Sequence, residues 1–147
     1  MKEIKEKLSK TTVVIEPLIK DRFYVSFSPT SKLNGQLVQS IDLPKCELID
    51  NKIKWLPITI EISDVIDQPC ISNYIYRWLM KGNDENFEIM QMAPNFDVIN
   101  KWKIYNSKII SIDFGNCDHN YQNNNKSALQ SIIITVQPEN CELLNSL

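Results

Sequence analysis

KWKIYNSKIISIDFGNCDHNYQNNNKSALQSIIITVQP, residues Lys101 to Pro138, reads as two strand-like runs separated by a polar loop. In the first run Trp102, Ile104, Ile110, Ile112 and Phe114 share one parity, and Lys101, Lys103, Tyr105, Ser111 and Asp113 the other. Successive side chains of a strand point to opposite faces, so this alternation predicts one apolar and one wet face. Asn106 and Lys108 interrupt the apolar parity, which predicts a bend or bulge between the two halves of the run. The second run, Gln130 to Val136, places Ile132, Ile134 and Val136 on its apolar parity. Gly115 to Ser127 between them is a cluster of Gly, Asn, Asp and Ser, the residues of turns and loops. The stretch predicts a half-wet antiparallel pair and holds no recognisable catalytic arrangement.

Composition bounds the rest. A chain of 147 residues is most economically one domain, and 43% hydrophobic with 23% charged residues lies in the globular range. A net charge of −2 supplies no bulk attraction to nucleic acid. Scarce Gly and Ala beside abundant Ile favour strand over helix. The four cysteines, Cys46, Cys70, Cys117 and Cys141, show no C-x-x-C spacing and follow no secretory signal, so they are expected to be reduced and mostly buried. Cys117-Asp118-His119 surrounds the only histidine. Three adjacent loop residues rarely converge on one ion and zinc takes four ligands, so no metal site, cofactor or catalytic triad is assigned there.

Ahead of the organising pair the chain alternates between strand and helix periods. Met1 to Lys20 lies outside the strand pattern and is assigned as an N-terminal arm, with residues 21–147 as a single domain. Its apolar run, Val13 to Ile19, is broken by Glu16 and Pro17, too short to span a membrane, and without a signal-peptide cleavage pattern. Asp21 to Ser28 is a strand with Phe23, Val25 and Phe27 inward. Leu37 to Leu43 is a second, ended by Pro44. Ile53 to Ser63 is a third, with Leu56, Ile58, Ile60 and Ile62 on one face and Trp55, Thr59, Glu61 and Ser63 on the other. From Pro69 to Lys81 the period changes: Ile71, Tyr74, Ile75, Trp78 and Leu79 mark one face of an amphipathic helix that Gly82 stops. Phe87 to Met92 is a short strand. The fold class is mainly β with one helix (α+β).

The order DRFYVSF, LVQSIDLPK, IKWLPITIEISDVID, a helix ending IYRWL, then KWKIYNSKIISIDFGNCDHN and LQSIIITVQP resembles the tail tube proteins of contractile bacteriophages, over roughly Asp21 to Leu143. The positions that carry the resemblance are Trp55, Asp64, Trp78, Trp102, Ser111, Phe114, Gly115 and Asp118. It implies a tail-tube-like antiparallel β-barrel or sandwich packed by an α-helix, similar to the ring proteins of bacterial secretion tubes. In such proteins sheets join side by side, six-fold, around a conduit. That suits the physics of a small sheet, whose unpaired edges need partners.

Carried onto this chain, the resemblance implies a virion structural protein of a phage tail, made in the host cytoplasm, and no enzyme. Its partners would be copies of itself in a homo-oligomeric ring, other tail proteins, and DNA that passes without specific binding. No cofactor, membrane or small-molecule substrate is implied. Thr59, Glu61, Ser63, Ser111, Asp113, Ser131 and Thr135 are the expected lumen-facing residues. Lys101 and Lys103 do not suit a lumen that must not grip phosphates and are expected beyond its rim. Tube subunits carry an extended arm between the second strand and the tryptophan strand. Here Pro44 to Lys54 is only a hairpin loop in length, which points to an adaptor, hub or terminator ring beside the tube reading. A small β-barrel that binds a ligand or peptide, with Trp55 and Tyr105 at its mouth, is the alternative from another class.

Overall fold

Strand-forming residues at alternating positions dominate the architecture, and one strand decides how it closes. The computed structural model describes residues 16–119 and 130–145. In chain order come β1 (Phe23–Phe27), β2 (Val38–Ile41), β3 (Cys46–Ile49), β4 (Lys52–Trp55) and β5 (Ile58–Ser63). The helix α1 (Ile71–Lys81) follows, then β6 (Glu85–Met92), β7 (Val98–Asp113), β8 (Ser131–Gln137) and β9 (Asn140–Asn145). Every pairing is antiparallel. One sheet runs β1-β6-β7-β8-β5-β2 with β9 added on β7, and β3 with β4 forms a separate hairpin.

The large sheet folds over at β7. The first half of β7 pairs with β6 and β9, and its last residues, Lys108 to Asp113, pair with β8. Two half-sheets result, β1-β6-β7-β9 and β2-β5-β8-β7. The bend falls at Asn106, which adopts a left-handed φ of 52°, a conformation Asn tolerates better than most residues. Asn86 Oδ1 accepts from the Asn106 amide (2.8 Å), and Asn106 Nδ2 donates to Glu139 (2.8 Å). On the facing chain Pro138 and Glu139 separate β8 from β9, and proline has no amide to give a ladder.

One core lies between the half-sheets. Val25, Phe87, Ile89, Ile104 and Cys141 come from one of them, and Ile58, Ile60, Ile62, Ile132, Ile134 and Val136 from the other. α1 adds Ile71, Ile75 and Trp78 from the face the period marked. Its capping is split between near and distant residues. Cys70 at the N-cap offers no side-chain bond. Asp64 supplies it instead, accepting from the amides of Val65 and Ile71 (2.8 Å each) and from the Ser72 hydroxyl. Gly82 closes the helix in the left-handed region, φ 64°, its amide donating to Trp78 and Leu79 carbonyls. No helix of the described residues is long and apolar enough to cross a membrane.

Several expectations change. The third strand is not continuous: Leu56 and Pro57 divide β4 from β5, and the two belong to different sheets. The Pro44 to Lys54 connection is not a plain loop. Together with Trp55 it makes the β3–β4 hairpin, turned by Asp50 and Asn51 at φ 51° and 63°. Pro69 precedes the helix and its cap rather than lying in the first turn. In β7 the bend at Asn106 and a bulge between Ile109 and Ser111 shift the apolar parity. Ile109 and Ile112 therefore pack on the core, while Ile110 and Phe114 are exposed. β9 was not anticipated, because Pro138 reads as the end of a strand. The cysteines are free, but only Cys141 is buried; Cys46 and Cys117 are exposed. Burial pushes the Cys141 thiol up to about 12, with a smaller push from Cys46. Among the described residues no His, Cys, Asp and Glu group is arranged to hold a metal ion.

Candidate assembly surface

The outward face of the second half-sheet collects the polar parity of three strands. Register places Thr59 opposite Thr135, Glu61 opposite Ile133 and Ser63 opposite Ser131 across β5 and β8. Across β8 and β7 it places Ser111 opposite Thr135 and Asp113 opposite Ile133. All the residues expected at a lumen thus share one face, and the Thr59 and Thr135 hydroxyls stand 3.5 Å apart. Ser63 departs from the expectation in one respect: it is only 5% exposed, so it sits on the wet parity without a wet side chain.

The face holds more than the sequence reading assigned. β2 extends it, with Ser40 opposite Glu61 and their side chains 3.5 Å apart. Asp42 follows, its carboxylate accepting from the Thr59 amide (3.3 Å). Ile133 is an apolar residue in the middle of the polar face and is 38% exposed. Its odd parity between Ser131 and Thr135 was legible. The Ser40–Glu61 pairing was not, because a bulge between Val38 and Ser40 sets that register. Asp42, Glu61 and Asp113 against Lys108 leave the face acidic.

Lys101 and Lys103, which did not suit this face, lie elsewhere because β7 crosses from one half-sheet to the other. They belong to the half that pairs with β6, where Lys101 stands 3.6 Å from Glu88 and Lys103 lies between Glu88 and Glu142 in register. Tyr105 on the same half donates to Glu142 (3.1 Å), and that bond holds its phenol above the usual range.

Among the described residues, neither edge of the acidic half-sheet has a strand partner. β2 pairs with β5 on one side and with no other strand among the described residues. The pairing of β7 with β6 ends at Ser107, so Lys108 to Asp113 has one edge on β8 and, among the described residues, no strand on the other. The β3–β4 hairpin stands apart from both half-sheets, with Leu48 73%, Ile53 59% and Ile49 48% exposed. It is tied down only near its base, where the Trp55 indole donates to Asn140 (3.1 Å) and Gln137 donates to the Trp55 carbonyl (2.8 Å). Trp55 is therefore a strut and does not line the cleft that opens between β1 and β2.

No family model matches the chain, and no curated protein matches its sequence. Solved structures do match its fold. The anti-feeding prophage tube-terminating cap aligns over 90% of this chain and 94% of its own, with a TM-score of 0.66 at 14% identity. A chain from the sheath–tube complex of an extracellular contractile injection system (PVC) aligns over 93% and 97%, with a TM-score of 0.66 at 13% identity. Hcp1 from E. coli EAEC 042 aligns over 85% and 92%, with a TM-score of 0.58 at 11% identity. At these identities the likeness is one of fold, mostly antiparallel β with one helix among the described residues, shared with contractile tube, cap and Hcp proteins.

Proposed function

We propose that this chain is a structural subunit of a phage-like contractile tail or injection machine, and that its copies close into a ring around a conduit. The observation that carries this is the pairing of two features on one half-sheet. Its outward face is polar and acidic, and among the described residues both of its edges lack a strand partner. Joining β2 of one copy to the second half of β7 of the next satisfies the edge amides and carbonyls that a lone sheet leaves open. Repeated around an axis, this heterologous contact closes a ring. Thr59, Glu61, Ser111, Asp113, Ser131 and Thr135 then line the lumen, where a polyanion such as DNA meets few cations to hold it.

The hairpin changes the reading of how rings stack. Exposed Leu48, Ile49 and Ile53 on an element outside both half-sheets form a surface of the kind that meets a neighbour. The sequence suggested that the stacking device was reduced; the hairpin restores it, and the tube reading gains over a solitary adaptor ring. The chain's partners in this proposal are copies of itself, within and between rings, and the other proteins of the tail. Native mass measurement and electron microscopy of the purified protein test it. The expected result is a closed ring, of roughly six copies as the resemblance implies. A monomer or dimer at every concentration, in the presence of tail components as well, would remove the ring.

A further inference from the structure

The two ends of α1 carry exposed surfaces of opposite character. Ahead of its first turn, Val65 packs against the core and Ile71 is buried. Asp64 accepts from the amides of both, 2.8 Å each. Between these two anchors Ile66 and Asp67 are held outward as a knuckle. Ile66 is 96% exposed, Asp67 beside it is exposed, and Asp67 forms no ion pair among the described residues. An apolar side chain fixed in water gains free energy only when a partner covers it.

The last turns of α1 present the complement. A cavity of about 70 Å3 is lined there by Lys32, Arg77, Lys81, Tyr74, Asn83 and Glu85, among others. Glu85 is 8% exposed, and its carboxylate accepts from the Thr30 hydroxyl (3.0 Å). Among the described residues the three cations form no ion pair, so against the one carboxylate the cavity keeps an excess of positive charge. The Tyr74 hydroxyl and the Asn83 side-chain amide likewise have no hydrogen-bond partner among these residues. Trp78 and Asn83 also line a second cavity of about 130 Å3, with Leu79, Gly82, Lys108 and Ile109. Leu79 is 43% exposed. One cavity suits a carboxylate and the other an apolar side chain. Both lie well below the roughly 300 Å3 at which small-molecule sites begin, so they fit two side chains presented by a protein better than a free ligand.

The helix has 11 residues, a length of about 16 Å, so knuckle and cavities cannot meet within one copy. We propose that the Ile66–Asp67 knuckle of one copy docks over the C-terminal turns of α1 in another, with the Asp67 carboxylate in the basic cavity and Ile66 against Leu79 and Ile109. The occupant is a second copy because one chain supplies both halves of the match, an acid beside an exposed apolar residue at one end of α1 and a basic cavity beside an apolar one at the other. Such a contact is head-to-tail, the kind that repeats around a ring or along a stack. It rests on the reading that copies of this chain assemble, but not on which sheet edges join.

The dissociation constant of self-association, read from native mass over a concentration series, tests the docking. Asp67→Lys brings like charges together and is expected to weaken association by about tenfold or more. Ile66→Ser is expected to weaken it by about tenfold through lost burial. Both residues are exposed, so the melting temperature of the monomer should stay near that of the parent. Asp67→Lys combined with Arg77→Glu in one chain restores a pair of opposite charges and is expected to recover most of the loss. Should Asp67→Lys fold poorly, Ile66→Ser decides the matter. Association unchanged in the single variants, or not recovered in the double variant, overturns the docking, and rings that persist in those variants leave the ring reading in place. Association that responds as expected but yields only open chains keeps the docking and overturns ring closure. A parent that stays monomeric at every concentration overturns both.

Discussion

Trp78 and Asp64 show how single residues hold α1 to the sheets. Trp78 is 5% exposed, and its indole donates to the Asn83 carbonyl (2.9 Å), so truncation leaves both a void and an orphaned acceptor. Trp78→Ala is expected to lower the unfolding free energy by about 3–5 kcal/mol, measurable by urea denaturation. A variant as stable as the parent would show that the site repacks around the loss. Asp64 works through charge. Partial burial pushes its carboxyl upward, but the bonds from Ser72, Val65 and Ile71 outweigh this, and the net shift is downward. A carboxyl whose folded pKa lies below its unfolded value stabilises the fold above the ordinary carboxylate range, and that contribution fades as pH falls through the folded value. Asp64→Ala should therefore cost about 0.5–2 kcal/mol near neutrality, as loss of a helix cap does. The gap from the parent should narrow in thermal melts taken at progressively lower pH.

At the scale of elements the β3–β4 hairpin and the bend in β7 divide the labour. The hairpin adds little to the core: Leu48 and Ile53 face each other in register, yet both are largely exposed. Replacing both with Lys is expected to leave monomer stability within about 0.5 kcal/mol, as for surface sites, while end-on association of rings is lost in micrographs. A large drop in the melting temperature instead would place the hairpin against the core. The β7 bend has the opposite character. It moves Lys101 and Lys103 to one half-sheet and Ser111 and Asp113 to the other, so one strand serves two surfaces of different charge.

For the whole molecule, the question is what the acidic face admits. Glu61 is half-buried beside Ser40, and Asp113 is exposed at the end of β7. Reversing both to Lys converts a face with one cation into one with three, on every copy of a ring. Stability should change little, since exposed charges contribute little. Retention of DNA by the assembled ring should rise and fall off steeply with added salt, because each phosphate contact releases counterions. Retention unchanged at low salt would mean that this face does not line a passage wide enough for DNA.

The alternation of Ile and polar residues determined by itself that β5 and β8 would bury Ile58, Ile60, Ile62, Ile132, Ile134 and Val136, since a period of two admits one burial pattern per register. The helix face and its stop at Gly82 were equally local, written in apolar spacing and in a residue that accepts a positive φ. Which wet faces adjoin was not local. Bulges at Ile109–Ser111 and Val38–Ser40, and the turn of β7 at Asn106, depend on hydrogen bonds with strands far away in sequence. The division of β4 from β5 at Leu56–Pro57, the strand β9 beyond Pro138, and the seam between β1 and β2 are likewise products of packing. Side-chain period is a property of a segment, whereas its partners are chosen by the backbone bonds and burial of the assembled sheet, and only the tertiary structure supplies those.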